Sequence, residues 1–392
     1  MSDLVSTIVP TPLRHTALHA THHAHKAKMV DFGGWDMPVQ YEGLVAEHMA
    51  VRTGVGIFDV SHMGDIQLRG PNSLAAVQKL LMNDASKLQV GQAHYSAMLY
   101  PNGTFVDDVV LHKLGENDWL IVINAGTREK DVKWVRQTIG GMGGLHITDV
   151  SDYYTQIAIQ GQKAAATLQK LTGVDLSAIK NYWFTWGIVS GCHNVLIART
   201  GYTGEDGFEI YIPADEPTSA RVWGEVLAAG AEFGAVPCGL GARNTLRLEA
   251  AMALYGHEIS DSINVFEAGL GRYCKLDKGA DFVGREALVA VQDEGGPKRR
   301  LVGLEMIERG IGRDGYPVLS LTGEKIGEVT SGSPAPFLKK NIALAYVPVA
   351  FTELGTEVAV EVRGQPVKAK VVPTPFYKRP KAGTPVVTAP LS

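Results

Sequence analysis

The stretch Gly201-Tyr-Thr-Gly-Glu-Asp-Gly-Phe-Glu209 joins two apolar strands, which the sequence predicts at residues 193–199 and 208–212. Its three glycines allow a tight bend, because glycine adopts backbone conformations that other residues avoid. Glu209 lies at the start of the second strand, where its carboxylate can accept two parallel hydrogen bonds from a planar heterocycle. It could equally pair with an arginine of this chain, and the spacing leaves both interpretations open.

Helices and strands alternate on both sides of this turn. Apolar alternation predicts a strand at residues 154–160, and helical spacing predicts helices at residues 162–171 and 242–252. Further upstream, residues 119–123 form a compact apolar strand, and Thr127 is placed to cap the helix that follows. This mixture predicts an α+β body.

The pattern changes after the polar run at residues 294–300. Strands are predicted there at residues 301–307, 325–330, 341–347, 358–362 and 367–371, the last two forming a hairpin that turns at Gly364-Gln365. Alternate positions are apolar, which is typical of strands with one buried face and one wet face. We therefore predict a body at residues 1–293, a C-terminal β domain at residues 294–380 and a tail at residues 381–392.

The composition restricts the class of protein. The chain has 392 residues, 45% of them apolar, which is enough for a large core and two or three domains. A formal net charge of -4 argues against a nucleic-acid partner, because such proteins normally carry a basic face. No apolar run is long enough to span a membrane, and no secretory signal is evident. Three widely spaced cysteines favour a reducing compartment, so we expect a cytoplasmic location.

Two adjacent carboxylates, Asp107 and Asp108, mark a second candidate site. Neighbouring side chains of an extended segment point to opposite faces, so one of the two must face inward beside Val106 or Val109. An uncompensated polar group there would cost roughly 2–7 kcal/mol. A ligand that supplies hydrogen-bond donors would remove this cost. Bonds from nearby backbone amides would also do so, and the pair alone favours this second interpretation.

A third candidate site is Gly239-Leu-Gly-Ala-Arg-Asn-Thr-Leu-Arg-Leu-Glu249. Arg243 and Arg247 are one helical turn apart and share a face, and Arg243 lies near the helix start, where anions are favoured. Paired guanidinium groups suit a ligand with carboxylates or ring carbonyls. A solvated surface with Glu249 as the partner explains the spacing equally well.

Two weaker patterns contain residue types that bind metals or act as nucleophiles. His19 and His23, within the cluster His15, His19, His22, His23 and His25, have the i, i+4 spacing of a metal-binding helix face. Nothing acidic sits between them and no third ligand is evident. Cys192 precedes His193 directly, so on a strand their side chains point apart. We therefore expect neither a metal site nor a Cys–His nucleophile.

The candidate loops together resemble the aminomethyltransferase family, the T proteins of the glycine cleavage system. The resemblance runs from about residue 11 to about residue 378, and the order and spacing of the matching stretches make it highly specific. These stretches are Ala27-Lys-Met-Val-Asp-Phe-Gly-Gly-Trp35, Phe58-Asp-Val-Ser-His-Met63, Val106-Asp-Asp108, Val122-Ile-Asn124, Arg128-Glu-Lys-Asp131, Thr200-Gly-Tyr-Thr-Gly-Glu-Asp-Gly-Phe-Glu209, Ala242-Arg243, Leu246-Arg-Leu-Glu-Ala250, Ser331-Gly332 and Lys339-Lys-Asn-Ile342.

The resemblance implies a fold: a three-domain cloverleaf around a central folate cavity, with a distorted jelly roll as the third domain. The first two domains would be interleaved, one built roughly from residues 1–63 with 151–255 and the other from residues 64–150 with 256–293. One local departure is Gln162, which stands where the family usually has proline. The N-terminal segment also has more histidines than the family pattern.

The resemblance also implies a reaction. The family transfers the one-carbon unit of aminomethyl-dihydrolipoyl H protein to tetrahydrofolate, giving 5,10-methylenetetrahydrofolate and ammonia. Asp108 would be the catalytic carboxylate, and Met63 would line the passage of the lipoyl arm. The folate contacts would be Tyr95, Asn124, Tyr202, Glu209, Arg243 and Tyr377. Tetrahydrofolate would be the co-substrate and lipoylated H protein the partner; no metal is expected, and the free protein would be a monomer.

Alternative functions are separated from this one by identifiable features. A related folate-dependent demethylase would produce methyl-folate instead of methylene-folate and ammonia. A non-enzymatic iron–sulfur assembly factor of this fold carries a cysteine that Arg199-Thr-Gly-Tyr-Thr-Gly-Glu-Asp206 lacks. The folate domain of a larger amine dehydrogenase would be accompanied by a flavin-binding, glycine-rich βαβ segment, which this sequence lacks. A eukaryotic source would instead imply the mitochondrial matrix, but no transit peptide is evident.

Overall fold

A computed structural model describes residues 12–380, and the predicted tail at residues 381–392 lies outside that range. The helices of this range are α1 (His19–Ala24), α2 (Leu44–Thr53), α3 (Ser73–Leu80), α4 (Arg128–Ile139), α5 (Ala164–Gln169), α6 (Glu216–Gly230), α7 (Leu240–Glu249) and α8 (Arg285–Asp293). None of these helices is both long and apolar enough to cross a membrane.

The strands of the same range follow the chain in the order β1 (Lys28–Phe32), β2 (Trp35–Gln40), β3 (Gly56–Asp59), β4 (Gly64–Arg69), β5 (Ala93–Leu99), β6 (Phe105–Gly115), β7 (Asp118–Ile123), β8 (His146–Asp149), β9 (Tyr154–Gln160), β10 (Phe184–Val189), β11 (Cys192–Ala198), β12 (Gly207–Pro213), β13 (Val236–Pro237), β14 (Arg299–Met306), β15 (Pro317–Leu319), β16 (Lys325–Ala335), β17 (Lys340–Pro348), β18 (Glu357–Val362) and β19 (Gln365–Val372). The predicted strand at residues 154–160 coincides with β9. The predicted helix at residues 162–171 is shorter at both ends, and the one at residues 242–252 begins and ends two to three residues earlier than predicted.

The body contains the two-stranded sheet β1–β2 and two larger sheets, which pack against each other. The larger has the strand order β10-β11-β12-β9-β3-β13, and the smaller has the order β5-β6-β7-β4-β8. Alternation along β7 decides which side chains meet the other sheet. Trp119 and Ile121 face the core that α3 and α4 cover, whereas Leu120 and Val122 pack with Leu196 of the larger sheet. Each sheet is therefore apolar on both faces.

The chain crosses between the sheets twice. β3 belongs to the larger sheet, β4 enters the smaller one, and the chain returns to the larger sheet at β9. A later segment packs back onto the smaller sheet, where Ile259 and Val265 share a cluster with Leu99 and Phe105. This order of segments is the one that two interleaved domains require, whereas their predicted boundaries stay a prediction.

The C-terminal strands close into a barrel with the order β14-β17-β16-β15-β18-β19, and β19 pairs back to β14. Closure leaves no unpaired strand edge. The β18–β19 hairpin turns at Arg363-Gly364, one residue earlier than predicted, and both residues have the positive φ that a type I′ turn requires. The predicted α+β fold with a β-rich C-terminal domain is confirmed.

Candidate active site

A cavity of about 530 Å³ lies where the two sheets, α7 and the barrel meet. Its volume falls within the range of roughly 300–1,000 Å³ that small-molecule sites occupy. The barrel contributes Leu301, Val302 and Leu344, and the segment after β19 contributes Thr374 and Pro375. The cavity also brings together seven of the eight residues predicted from the sequence, namely Met63, Tyr95, Asp108, Asn124, Tyr202, Glu209 and Arg243.

The adjacent carboxylates of β6 divide as strand geometry requires. Asp107 is fully buried on the side away from the cavity, and Asp108 lines the cavity. Asp107 accepts hydrogen bonds from the Asp108 backbone N–H at 3.0 Å and from the hydroxyl of Thr127 at 2.6 Å. The inward position is thus satisfied by the protein, as the local interpretation expected, and Asp108 is left facing the cavity.

Asn124, just beyond the end of β7, connects the two carboxylates. Its side-chain amide donates to Asp107 at 2.9 Å and to Asp108 at 2.8 Å. Thr127 precedes α4 at the expected position, but its hydroxyl makes no capping bond and donates to Asp107. The predicted capping role of Thr127 is therefore wrong, because the buried carboxylate competes for the same hydroxyl.

Burial changes the proton affinity of Asp108. Removal from water and the neighbouring charge of Asp107 raise the pKa of Asp108 to about 7. Hydrogen bonds from Asn124 and from the Tyr95 hydroxyl, at 3.0 Å, act in the opposite direction. At neutral pH this carboxyl group can therefore both hold and release a proton. This environment does not favour a carboxyl group that stays fully ionised at neutral pH.

Asp131 of α4 extends the carboxyl cluster behind Asp108. Its side chain is fully buried, and burial together with the nearby Asp107 raises the pKa of Asp131 to about 10. Asp131 is therefore neutral at physiological pH, so the cluster holds fewer negative charges than its three carboxyl groups suggest. In the sequence, Asp131 belongs to a stretch that matches the family, but no pattern there predicts it as a site residue.

Glu209 faces the cavity from the start of β12. The hydroxyl of Thr200 donates to its carboxylate, and no Lys or Arg in residues 12–380 forms an ion pair with it. Burial raises the pKa of Glu209, and the more distant charge of Arg243 partly offsets that effect. The alternative in which an arginine of this chain neutralises Glu209 is thus wrong. The carboxylate of Glu209 can therefore still accept hydrogen bonds from a ligand in the cavity.

The two arginines of α7 have different surroundings although they share a helix face. Arg243 lies in the cavity wall with its guanidinium 4.7 Å from the ring centroid of Tyr202, and burial lowers the pKa of Arg243. Arg247 is 1% exposed and pairs with Glu258 at 2.7 Å. The expected solvated partner Glu249 is also buried and pairs instead with Arg52. Of these two arginines, only Arg243 remains available to a ligand.

Tyr377 is the predicted site residue that the structure does not bring into the cavity. Its ring packs against the guanidinium of Arg52, 3.9 Å from the ring centroid, and its backbone N–H donates to the backbone carbonyl of Glu249. Thr374 and Pro375 line the cavity instead. The predicted ligand contact of Tyr377 is therefore not supported by its position.

Sequence reasoning missed His112, which also lines the cavity. His112 is 1% exposed, and burial lowers its pKa to about 4, so the ring is neutral at physiological pH. A usable signal was present in β6, since residues 108, 110 and 112 lie on the same face of a strand. Thr200 also lines the cavity, but only its hydrogen bond to Glu209 in the structure identifies it as a site residue.

Two protein families together match most of the chain. Residues 18–278 match the family described as GCVT N-terminal domain, and residues 299–378 match the family described as Glycine cleavage T-protein C-terminal barrel domain. The chain belongs to the glycine cleavage T-protein family. Within this family, the aminomethyltransferase of Acidobacterium capsulatum is 72% identical over 377 residues, which are 96% of this chain and 99% of that protein.

Further members of the T-protein family agree with this assignment. The aminomethyltransferase of Koribacter versatilis is 66% identical and covers 95% of this chain and 98% of its own length. The crystal structure of glycine cleavage system aminomethyltransferase T from Bartonella henselae has a TM-score of 0.86 at 32% identity and covers 93% of this chain and 98% of that chain. The family resemblance and the prediction of an aminomethyltransferase are confirmed.

Proposed function

We propose that this chain transfers the one-carbon unit of aminomethyl-dihydrolipoyl H protein to tetrahydrofolate, releasing ammonia and 5,10-methylenetetrahydrofolate. The observation that carries the proposal is that Asp108 and Glu209 line one cavity while neither forms an ion pair within residues 12–380. A buried carboxylate without a counter-ion is costly unless a ligand supplies donors. Reduced folate offers such donors at its pterin edge and at its reacting amine.

Glu209 is proposed to hold the pterin edge. An ionised carboxylate has about four acceptor sites, and Thr200 uses one of those on Glu209. The others can accept two parallel N–H bonds from the amino group and ring nitrogen of the pterin. Arg243, on the same cavity wall, would donate to acceptor atoms of the ligand.

Asp108 is proposed to act at the reacting amine. In the overall reaction, the C–S bond to the lipoyl arm and the C–N bond to the departing ammonia break, and two C–N bonds to folate form. Protons from the two folate amines end on the ammonia and the dihydrolipoyl sulfur. A carboxyl group with a pKa of about 7, held by Tyr95 and Asn124, is suited to accept such a proton. Positioning and exclusion of water would supply the rest.

The function is tested by mixing the chain with aminomethylated H protein and measuring ammonia with and without tetrahydrofolate. We expect release that depends on folate and yields methylene-folate in a one-to-one ratio with ammonia. Formation of methyl-folate would indicate a demethylase instead. Folate binding without any ammonia release would indicate a non-enzymatic role.

Turnover should depend on the ionisation of Asp108. The pKa of this group is raised to about 7, so the carboxyl group is protonated below that pH and ionised above it. If the ionised form accepts the proton, kcat should rise about tenfold per pH unit below pH 7 and level off above it. The profile is measured between pH 5 and pH 9 with saturating substrates. The residual activity of Asp108→Asn should not show this rise of kcat with pH. A wild-type profile that stays flat through pH 7 would exclude Asp108 as the proton acceptor.

Glu209→Gln should weaken the binding of tetrahydrofolate by about 10- to 100-fold, because a hydrogen bond to a charged group contributes roughly 1.5–3 kcal/mol. Titration calorimetry with tetrahydrofolate measures the affinity. Glu216→Gln at the exposed start of α6 is the matched control and should bind like the wild type. Equal affinity of Glu209→Gln and the control would remove Glu209 from the pterin site.

We also propose how the lipoyl arm enters, which partner the chain has and how its domains are divided. The lipoyl arm would enter past Met63, whose side chain lies in the cavity wall. The partner would be lipoylated H protein, the free chain would be a cytoplasmic monomer, and no metal would take part in the transfer. The two sheets and the barrel support a division into three domains with the boundaries predicted from the sequence.

A further inference from the structure

A cluster of nitrogen and oxygen atoms lies at the start of α1, on residues that the proposed reaction does not use. The Nε2 atom of His19 lies 2.8 Å from Oδ2 of Asp36 and 3.2 Å from Nε2 of His23. The third side of this triangle, from His23 Nε2 to Asp36 Oδ2, measures 3.9 Å. The two histidines are one turn apart on α1, and Asp36 comes from β2, which the chain brings alongside.

Hydrogen bonding alone satisfies this triangle poorly. The Nε2 atom of His19 carries at most one proton, yet it faces both a carboxylate oxygen and a second imidazole nitrogen. A cation at the centre would satisfy all three atoms together. Ligand atoms around a tetrahedral zinc ion at 2.0–2.1 Å are about 3.3 Å apart, and the three observed separations lie on both sides of this value.

His15 offers a fourth ligand. Its ring stacks on His19, with centroids 3.7 Å apart, and it presents a nitrogen within 4.8 Å of the ligand atoms of His19 and Asp36. His15 is exposed, so its ring can rotate into a coordinating position on the nanosecond timescale. Three imidazoles and one carboxylate form a donor set that suits zinc better than magnesium or calcium, which prefer oxygen.

We propose that His15, His19, His23 and Asp36 bind one zinc ion that fastens α1 to β2. The sequence did not indicate this acidic ligand. Asp36 does not lie between the histidines in the chain, and only the fold brings it close to them. The side chains of His19 and Asp36 are about one-fifth exposed, so an ion can enter from solvent. The same short helix carries His22, which is buried against Asp59, so the ion would stabilise a segment that is anchored in the core.

Binding is tested by calorimetric titration of zinc chloride into the full, tag-free chain after treatment with a chelator. We expect one ion per chain and a higher melting temperature with zinc, since a ligand that binds only the folded state stabilises it. His19→Gln and His23→Gln should each weaken zinc binding at least tenfold. His25→Gln, an exposed histidine of the same segment outside the cluster, is the matched control and should bind like the wild type.

A second measurement identifies the coordination. Cobalt(II) in place of zinc should give the intense visible absorption of a four-coordinate site, and His23→Gln should abolish it. His23 is more than half exposed, so its replacement leaves folding intact and isolates the ligand effect. Absence of binding heat, or binding that all three variants retain equally, would overturn the proposal. So would a weak six-coordinate cobalt spectrum.

Discussion

Asp108→Asn is expected to lower turnover about 10²- to 10⁴-fold while tetrahydrofolate still binds within a few-fold of its wild-type affinity. The amide has the size of the carboxylate and can keep one acceptor towards Asn124, with its amino group facing the Tyr95 oxygen. The cavity shape is therefore retained. What is lost is a group that can take up a proton near neutral pH.

The stability of the Asp108→Asn variant distinguishes a catalytic role of Asp108 from a structural one. The folded-state pKa of Asp108 is raised to about 7, so its ionised form opposes folding at higher pH, and the neutral amide should be equally or more stable at pH 8. Ammonia release in single turnover, tetrahydrofolate binding by calorimetry and thermal unfolding are measured on the same preparations. Asp277→Asn, at an exposed position, is the control. Near-normal turnover of Asp108→Asn, or a loss of turnover that follows a loss of stability, would contradict the assignment.

Arg247→Met should lower the free energy of unfolding by about 3–5 kcal/mol, the usual effect of removing one partner of a buried ion pair. Arg247 is 1% exposed and Glu258 is fully buried, with 2.7 Å between their charged atoms. Arg247 also donates to the hydroxyl of Ser331 on β16, so it joins α7 to the barrel. Its loss leaves the Glu258 carboxylate buried without a counter-ion.

The mechanism of this destabilisation is tested with a second substitution. Unfolding in urea is compared for Arg247→Met and for the double variant Arg247→Met/Glu258→Met, which should recover much of the lost stability because no unpaired charge remains. Arg243→Met is the matched control, since it removes an arginine of the same helix that makes no ion pair within residues 12–380. Equal losses for Arg243→Met and Arg247→Met would show that the ion pair is not the cause.

The elements that were predicted well have a strong local signal. The apolar strands predicted at residues 119–123 and 154–160 are both present, and tertiary packing did not change their type. Side-chain contacts differed from the local prediction where a group from elsewhere in the chain competes for the same hydrogen bond. Thr127 illustrates this, since its hydroxyl bonds to Asp107 on β6 in preference to the helix that it precedes.

The sequence alone predicted the α+β class, the β-rich C-terminal region, the family and eight site residues, seven of which line the cavity. These follow from local periodicity and from motifs, which are properties of neighbouring residues. The fold decided the partners: Asp107 turns inward and Asp108 faces the cavity, Glu209 stays free of arginine, and Asp36 reaches His19. The physical reason is that a side chain's charge and hydrogen bonds depend on segments distant in the chain, whose approach only strand register and sheet packing determine.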